Sequence, residues 1–150
     1  MTPVPRAALL LGLAGLIPFV WGAASQLFPG LAEMGLAVAG PRFAGPHVSL
    51  AYGTVILSFM SGVLWGFATR ATGSAAATGY ALSVLPALWA FFMVGGGAPA
   101  AAVSLMAGFA GLLVLDSLFW RWGLAPPWWM RLRGLLTAVV LACLAVPALL

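Results

Sequence analysis

The stretch DSLFWRWGLAPPWWMRLRGLLT, Asp116 to Thr137, holds one of the chain's two carboxylates, three of its six arginines and four of its seven tryptophans. Apolar runs flank it on both sides, Ala100 to Trp120 before it and Leu135 onward after it. Tryptophan favours the membrane interface, because its ring is apolar and its N–H wants a polar partner. Trp120, Trp122, Trp128 and Trp129 therefore read as an aromatic anchor where the chain leaves and re-enters lipid. Within it, Pro126 and Pro127 stop one helix and stiffen the turn. Arg131 and Arg133 are expected to meet anionic headgroups, at roughly 1 kcal/mol each. The segment is predicted to join two membrane-spanning helices at a membrane surface.

Composition extends that reading to the whole chain. The protein is 64% hydrophobic and 5% charged with a mean hydropathy of +1.15, where soluble domains carry about 25% charged residues. At ~20 apolar residues per crossing, a chain of this length holds at most about five or six spans. All of the positive charge is arginine, scattered along the sequence, which excludes the clustered basic patch of a nucleic-acid-binding protein. One cysteine, Cys143, sits inside an apolar run and builds no disulfide framework.

Charge-free runs bounded by Arg, Pro, Gly and Trp place five spans at about 7–28, 48–69, 76–94, 100–120 and 134–149, in a single all-α domain covering 1–150. Gly95-Gly96-Gly97 with Pro99 ends the third. The connection from Pro29 to His47 is an exposed loop with a short interfacial helix around Leu31 to Val38. The first run also resembles a cleaved leader, with Arg6 before it and Ala23-Ala24-Ser25 near its end; its length and the spans that follow favour retention. Pro18 and Pro86 are expected to bend the first and third spans. With the N-terminus cytoplasmic, Arg6, Arg70, Arg121, Arg131 and Arg133 share that side and Arg42 alone lies outside. That bias is the one expected of a bacterial inner-membrane protein whose C-terminus is periplasmic.

Small residues recur every fourth position: Ser58, Gly62 and Gly66; Gly79, Ser83 and Ala87; Ser104 and Gly108; Gly134, Ala138 and Ala142. In lipid no hydrophobic drive pulls helices together, so small residues that let backbones approach are expected to form the seams inside the bundle. A seam used for a partner protein is the alternative.

Two stretches carry a resemblance: AYGTVILSFMSGVLWGFA, Ala51 to Ala68, and WGLAPPWWMRLRGLLT, Trp122 to Thr137. It is specific at Tyr52-Gly53, Ile56-Leu57-Ser58-Phe59 and Trp65-Gly66, and again at Pro127-Trp128-Trp129, Leu132-Arg133 and Leu136-Thr137. In these the chain resembles a family of bacterial membrane proteins of unknown function whose animal relative is transmembrane protein 69 of mitochondria. The resemblance implies a helical inner-membrane protein and brings no catalytic residues.

The polar residues left over define what chemistry is open to the chain. Asp116 lies about one turn inside the end of the fourth span, where an ionisable group needs a partner or a task. Arg121 is five residues on and misses the i,i+4 geometry, so Arg131, Arg133 or Arg70 is the expected partner, with a proton-handling or ligand-binding acid, or a residue simply facing interfacial water, as the alternatives. Tyr52, Ser58, Ser61 and Trp65 make a polar strip on the second span, either bonded within and between helices or lining a cavity for a quinone or lipid headgroup. His47, with Glu33 as the only acid on its side, does not make a metal site. No glycine-rich phosphate loop, acid pair or Cys/His cluster is present in the sequence. The expectation is a membrane protein without catalytic activity or cofactor, acting as an accessory, scaffold or assembly subunit through helix packing. Its partners are the lipid bilayer and other membrane proteins. The alternative is a small carrier or sensor of an apolar ligand such as a quinone or lipid.

Overall fold

The computed structural model describes residues 2–150, and among these it has eight α-helices, one 3-10 turn and no strand. The helices are α1 (Arg6–Ala14), α2 (Ile17–Leu27), α3 (Pro29–Ala39), α4 (Pro46–Ala68), α5 (Gly73–Ser83), α6 (Leu85–Met93), α7 (Ala98–Arg121) and α8 (Trp129–Leu149). Joined end to end, α1–α2 and α5–α6 act as single rods. With α4, α7 and α8 they give five helices long and apolar enough to cross a membrane.

The two broken rods break where proline demands it. Pro18 has no N–H to donate and its ring crowds the preceding turn, so the regular α-helical hydrogen bonding is interrupted at Gly15 and Leu16, where the Leu16 N–H bonds to the Leu13 carbonyl, and a new helix starts at Ile17. Pro86 does the same at Val84. In a membrane the freed backbone groups must find partners within the protein. The Ala87 N–H finds one on α4, donating to Ser61 Oγ at 2.8 Å.

Helices α4, α7 and α8, with α2, enclose the core, and α7 and α8 form the most extensive pair. Leu57, Leu64, Leu105, Leu112, Leu144, Phe19, Phe109 and Phe119 are all buried. Large apolar side chains such as Phe59, Phe91, Phe92 and Val114 point outward, as a lipid-facing surface requires. Helix α3 is too short to span. The loop after it is fastened to α2, with the Trp21 indole donating to the Phe43 carbonyl at 2.7 Å and the Gly45 N–H donating to Ser25 Oγ at 3.0 Å.

Only some of the small-residue repeats are seams. Gly79 packs on Ala68, where a Cβ would lie 3.0 Å from the alanine Cβ, and Gly108 packs on Leu57 and Trp89, where it would lie 2.8 Å from each. Ser83 is buried beside Gly79 on the same face. Ser58, Gly62 and Gly66 are exposed, and a side chain on either glycine would meet nothing within 4 Å among the described residues. Ala138 and Ala142 are likewise exposed, and Gly134 is open. These two expected internal seams are therefore corrected. The inward face of α4 runs through Leu57, Ser61, Leu64 and Ala68, and the glycine repeat, one residue out of step, is turned about 100° away from it.

Candidate functional site

Helix α8 begins at Trp129, a turn earlier than the expected start of the fifth span at 134. The earlier start puts Trp129, Arg133 and Thr137 at successive four-residue steps on one helix face. That face meets α7 where Asp116 is fully buried. Arg133 Nε donates to Asp116 Oδ2 at 2.7 Å, and the Trp129 indole N–H donates to Asp116 Oδ1 at 2.8 Å. Both carboxylate oxygens accept a bond, which is the pattern of the ionised, acceptor-only form. The Trp129 ring also stands edge-on to Phe67, with centroids 5.1 Å apart.

Arg133 also lines a cleft of about 410 Å³ between the first span, α4, α7 and α8. Gly12 sets how closely α1 can approach, since a side chain there would come within 3.2 Å of Leu136 Cδ1. Phe19 closes the inner wall, packed edge-on against both Tyr52 and Phe109. The lining is otherwise aliphatic and aromatic, and its polar side chains are Arg133, Thr137 and Tyr52. Small-molecule sites have this character, with an apolar body of about 300–1,000 Å³ and a few placed polar groups.

Two of those groups are unpaired. Arg133 is 5% exposed and Thr137 2%, and among the described residues Arg133 Nη2 and Thr137 Oγ1 have no hydrogen-bond partner. A buried polar group left unmatched costs about 1–3 kcal/mol. Ser49 Oγ is a third such atom; it sits against Gly22 at the α2–α4 contact.

The structure separates the other residues singled out in the sequence. Tyr52 lines the cleft; Ser61 and Trp65 border a shallow groove against α6, and neither is a cleft residue. Ser58 belongs to neither and bonds back to the Thr54 carbonyl at 3.0 Å. The expected strip is thus not one lining, because the i,i+3 and i,i+4 steps that align serines on a helix do not choose which neighbour they face. Trp65 stacks on Tyr80, with centroids 4.6 Å apart. Arg121 and Arg131 are exposed. Arg70 donates to the Leu124 carbonyl at 3.0 Å and so ties the α4–α5 turn to the α7–α8 loop. Two parts of the expected anchor are corrected. Arg133 turns inward to Asp116 and away from headgroups, and Trp129 spends its N–H on the same carboxylate. Trp120 and Trp122 remain exposed, the first donating to the Pro127 carbonyl at 3.3 Å. Trp128 is half-buried against Trp129, and Pro127 is exposed. Thr137 was outside the sequence-derived candidates, although its spacing from Trp129 and Arg133 carried the signal.

Comparison with known proteins places the chain. It is 36% identical over 142 residues to transmembrane protein 69 of Xenopus tropicalis, an alignment that covers 90% of this chain and 51% of the frog protein. The chain thus spans about half the length of that relative. No solved structure matches. Residues 4–149 match the family described as protein of unknown function (DUF3429), and with nearly the whole chain inside that match the protein belongs to this family.

Proposed function

We propose that the protein is a small carrier or sensor of an apolar ligand, which enters the cleft between the first span, α4 and α8 from the lipid phase. The observation that carries this reading is an otherwise apolar cleft lined by Arg133 and Thr137, two residues whose Nη2 and Oγ1 are buried without a partner among the described residues. Buried polar groups are as a rule satisfied, and a ligand headgroup would satisfy these after a side-chain shift that uncovers them to the cleft. In this reading the protein binds and presents its ligand without catalysing a reaction. It sits in a bacterial inner membrane with the N-terminus cytoplasmic, an orientation supported by the five-to-one division of arginines between the two sides.

A second reading, an accessory or assembly subunit, is favoured by the outward faces of α4 and α8. Gly62 and Gly66 have open space where a side chain would be, and such faces let a second transmembrane helix approach closely. Purification in mild detergent, with mass spectrometry of both lipids and proteins, separates the two. A retained lipid-soluble molecule that is lost when the cleft is filled by Gly12→Leu supports the ligand reading. A stoichiometric membrane protein without such a molecule supports the subunit reading and ends the first.

A further inference from the structure

We infer that the cleft selects a ligand whose head is an uncharged hydrogen-bond acceptor, a carbonyl carried on an apolar chain, over an anionic head such as a carboxylate or phosphate. The inference rests on the ligand-binding reading above and adds the chemical class of the head. It follows from the charges already present. Among the described residues Arg133 is the only cation lining the cleft, and its charge is matched by Asp116 at 2.7 Å. The buried pair is neutral as a unit. An anion bound there would leave two negative groups around one guanidinium, and an uncompensated buried charge is strongly disfavoured.

The open valences instead call for an acceptor. The guanidinium has donors only, and it bonds Asp116 through Nε, which leaves donors on its Nη groups unused, the buried Nη2 among them. Thr137 Oγ1 carries a second free hydroxyl proton one turn further along α8. The Tyr52 hydroxyl, contributed by α4, belongs to a residue lining the same cleft and lies 3.7 Å from where a Gly15 side chain would be. A carbonyl oxygen with two lone pairs accepts from such donors and adds no charge. The aliphatic and aromatic remainder of the lining then takes ring or chain. Two lipid-soluble sources supply this chemistry: a quinone, and the ester carbonyl of a neutral glyceride.

The test uses the full chain purified in dodecyl maltoside, which has no carbonyl group. Binding is followed by tryptophan fluorescence and by thermal shift with three probes: decyl-benzoquinone, dioctanoylglycerol and decanoate. The expected result is saturable binding of a carbonyl probe with decanoate at least tenfold weaker, and the first two probes tell quinone from ester. Thr137→Val keeps the shape and deletes the hydroxyl. It should weaken the carbonyl probe by about five- to tenfold, the scale of one hydrogen bond, while the unliganded protein stays folded. Tyr52→Phe is the second shape-conserving variant. Decanoate binding as tight as the carbonyl probes, or carbonyl binding unchanged in both variants, overturns the inference while leaving the cleft as a ligand site. Failure of all three probes to bind removes the ligand reading with it.

Discussion

Arg133 on α8 reaches Asp116 on α7 through its Nε, 2.7 Å from Oδ2, so the only ion pair among the described residues is buried between adjacent spans. Because Nε makes that bond, the pair fixes the guanidinium while leaving Nη2 unbonded. One side chain thereby serves as a structural tie and as part of the cleft wall.

Removing either partner should be costly and removing both much less so. Asp116→Leu leaves a buried guanidinium uncompensated, a loss on the order of 3–5 kcal/mol. The double variant Asp116→Leu with Arg133→Met should recover most of it. Thermal unfolding in detergent reads both, and a double variant as unstable as the sum of the single changes would refute the coupling.

Trp129 should behave as part of this cluster and not as a lipid anchor. Trp129→Phe deletes a bond to a charged acceptor, worth about 1.5–3 kcal/mol, whereas Trp122→Phe, at an exposed position, should change stability by much less. Similar melting temperatures for the two variants would contradict the geometry.

Helix seams can be told apart by bulk. Gly108→Leu drives a side chain into Leu57 and Trp89 and should sharply lower folded yield, since overpacking alone costs about 1–3 kcal/mol. Gly62→Leu with Gly66→Leu, on an open face, should leave the yield of the isolated protein nearly unchanged. If the α4 pair proved the more damaging, the orientation of that helix would be wrong.

Topology follows from the arginine bias. A reporter active only outside the cytoplasm should be active when fused after Leu150 and silent when fused near Ser74. Activity at Ser74 and silence at Leu150 would reverse the orientation.

How much of this was legible in the sequence depended on the kind of signal. The spans were legible because lipid excludes charge, and the ends of the charge-free runs at Arg70, at Gly95-Gly96-Gly97 and at the Trp/Pro segment lie close to helix ends in the structure. The breaks at Pro18 and Pro86 were legible because proline lacks a donor wherever it stands. The partner of Asp116 could be narrowed to three arginines. The choice of Arg133 depended on α8 starting at Trp129, which only the turn after Pro126 and Pro127 decides. The facing of the glycine repeats was not legible at all. In lipid both the inside and the outside of a bundle are apolar, so hydrophobic periodicity does not mark the inward face as it does in water. Local spacing aligned Ser58, Ser61 and Trp65, and Thr137 with Trp129 and Arg133, but only the fold decides which of them line one cleft.

The closeness of Asp116 and Arg133 along the chain also bears on how the protein enters the membrane. A lone ionisable side chain within a span opposes insertion, and Asp116 and Arg133, each about one turn inside a helix end, would each add such a cost to a span inserted singly. The Gly123 turn, at φ 72°, folds α8 back alongside α7. The two charges can then partition into the bilayer together as a neutral helical hairpin, without waiting for the first three spans to assemble around them.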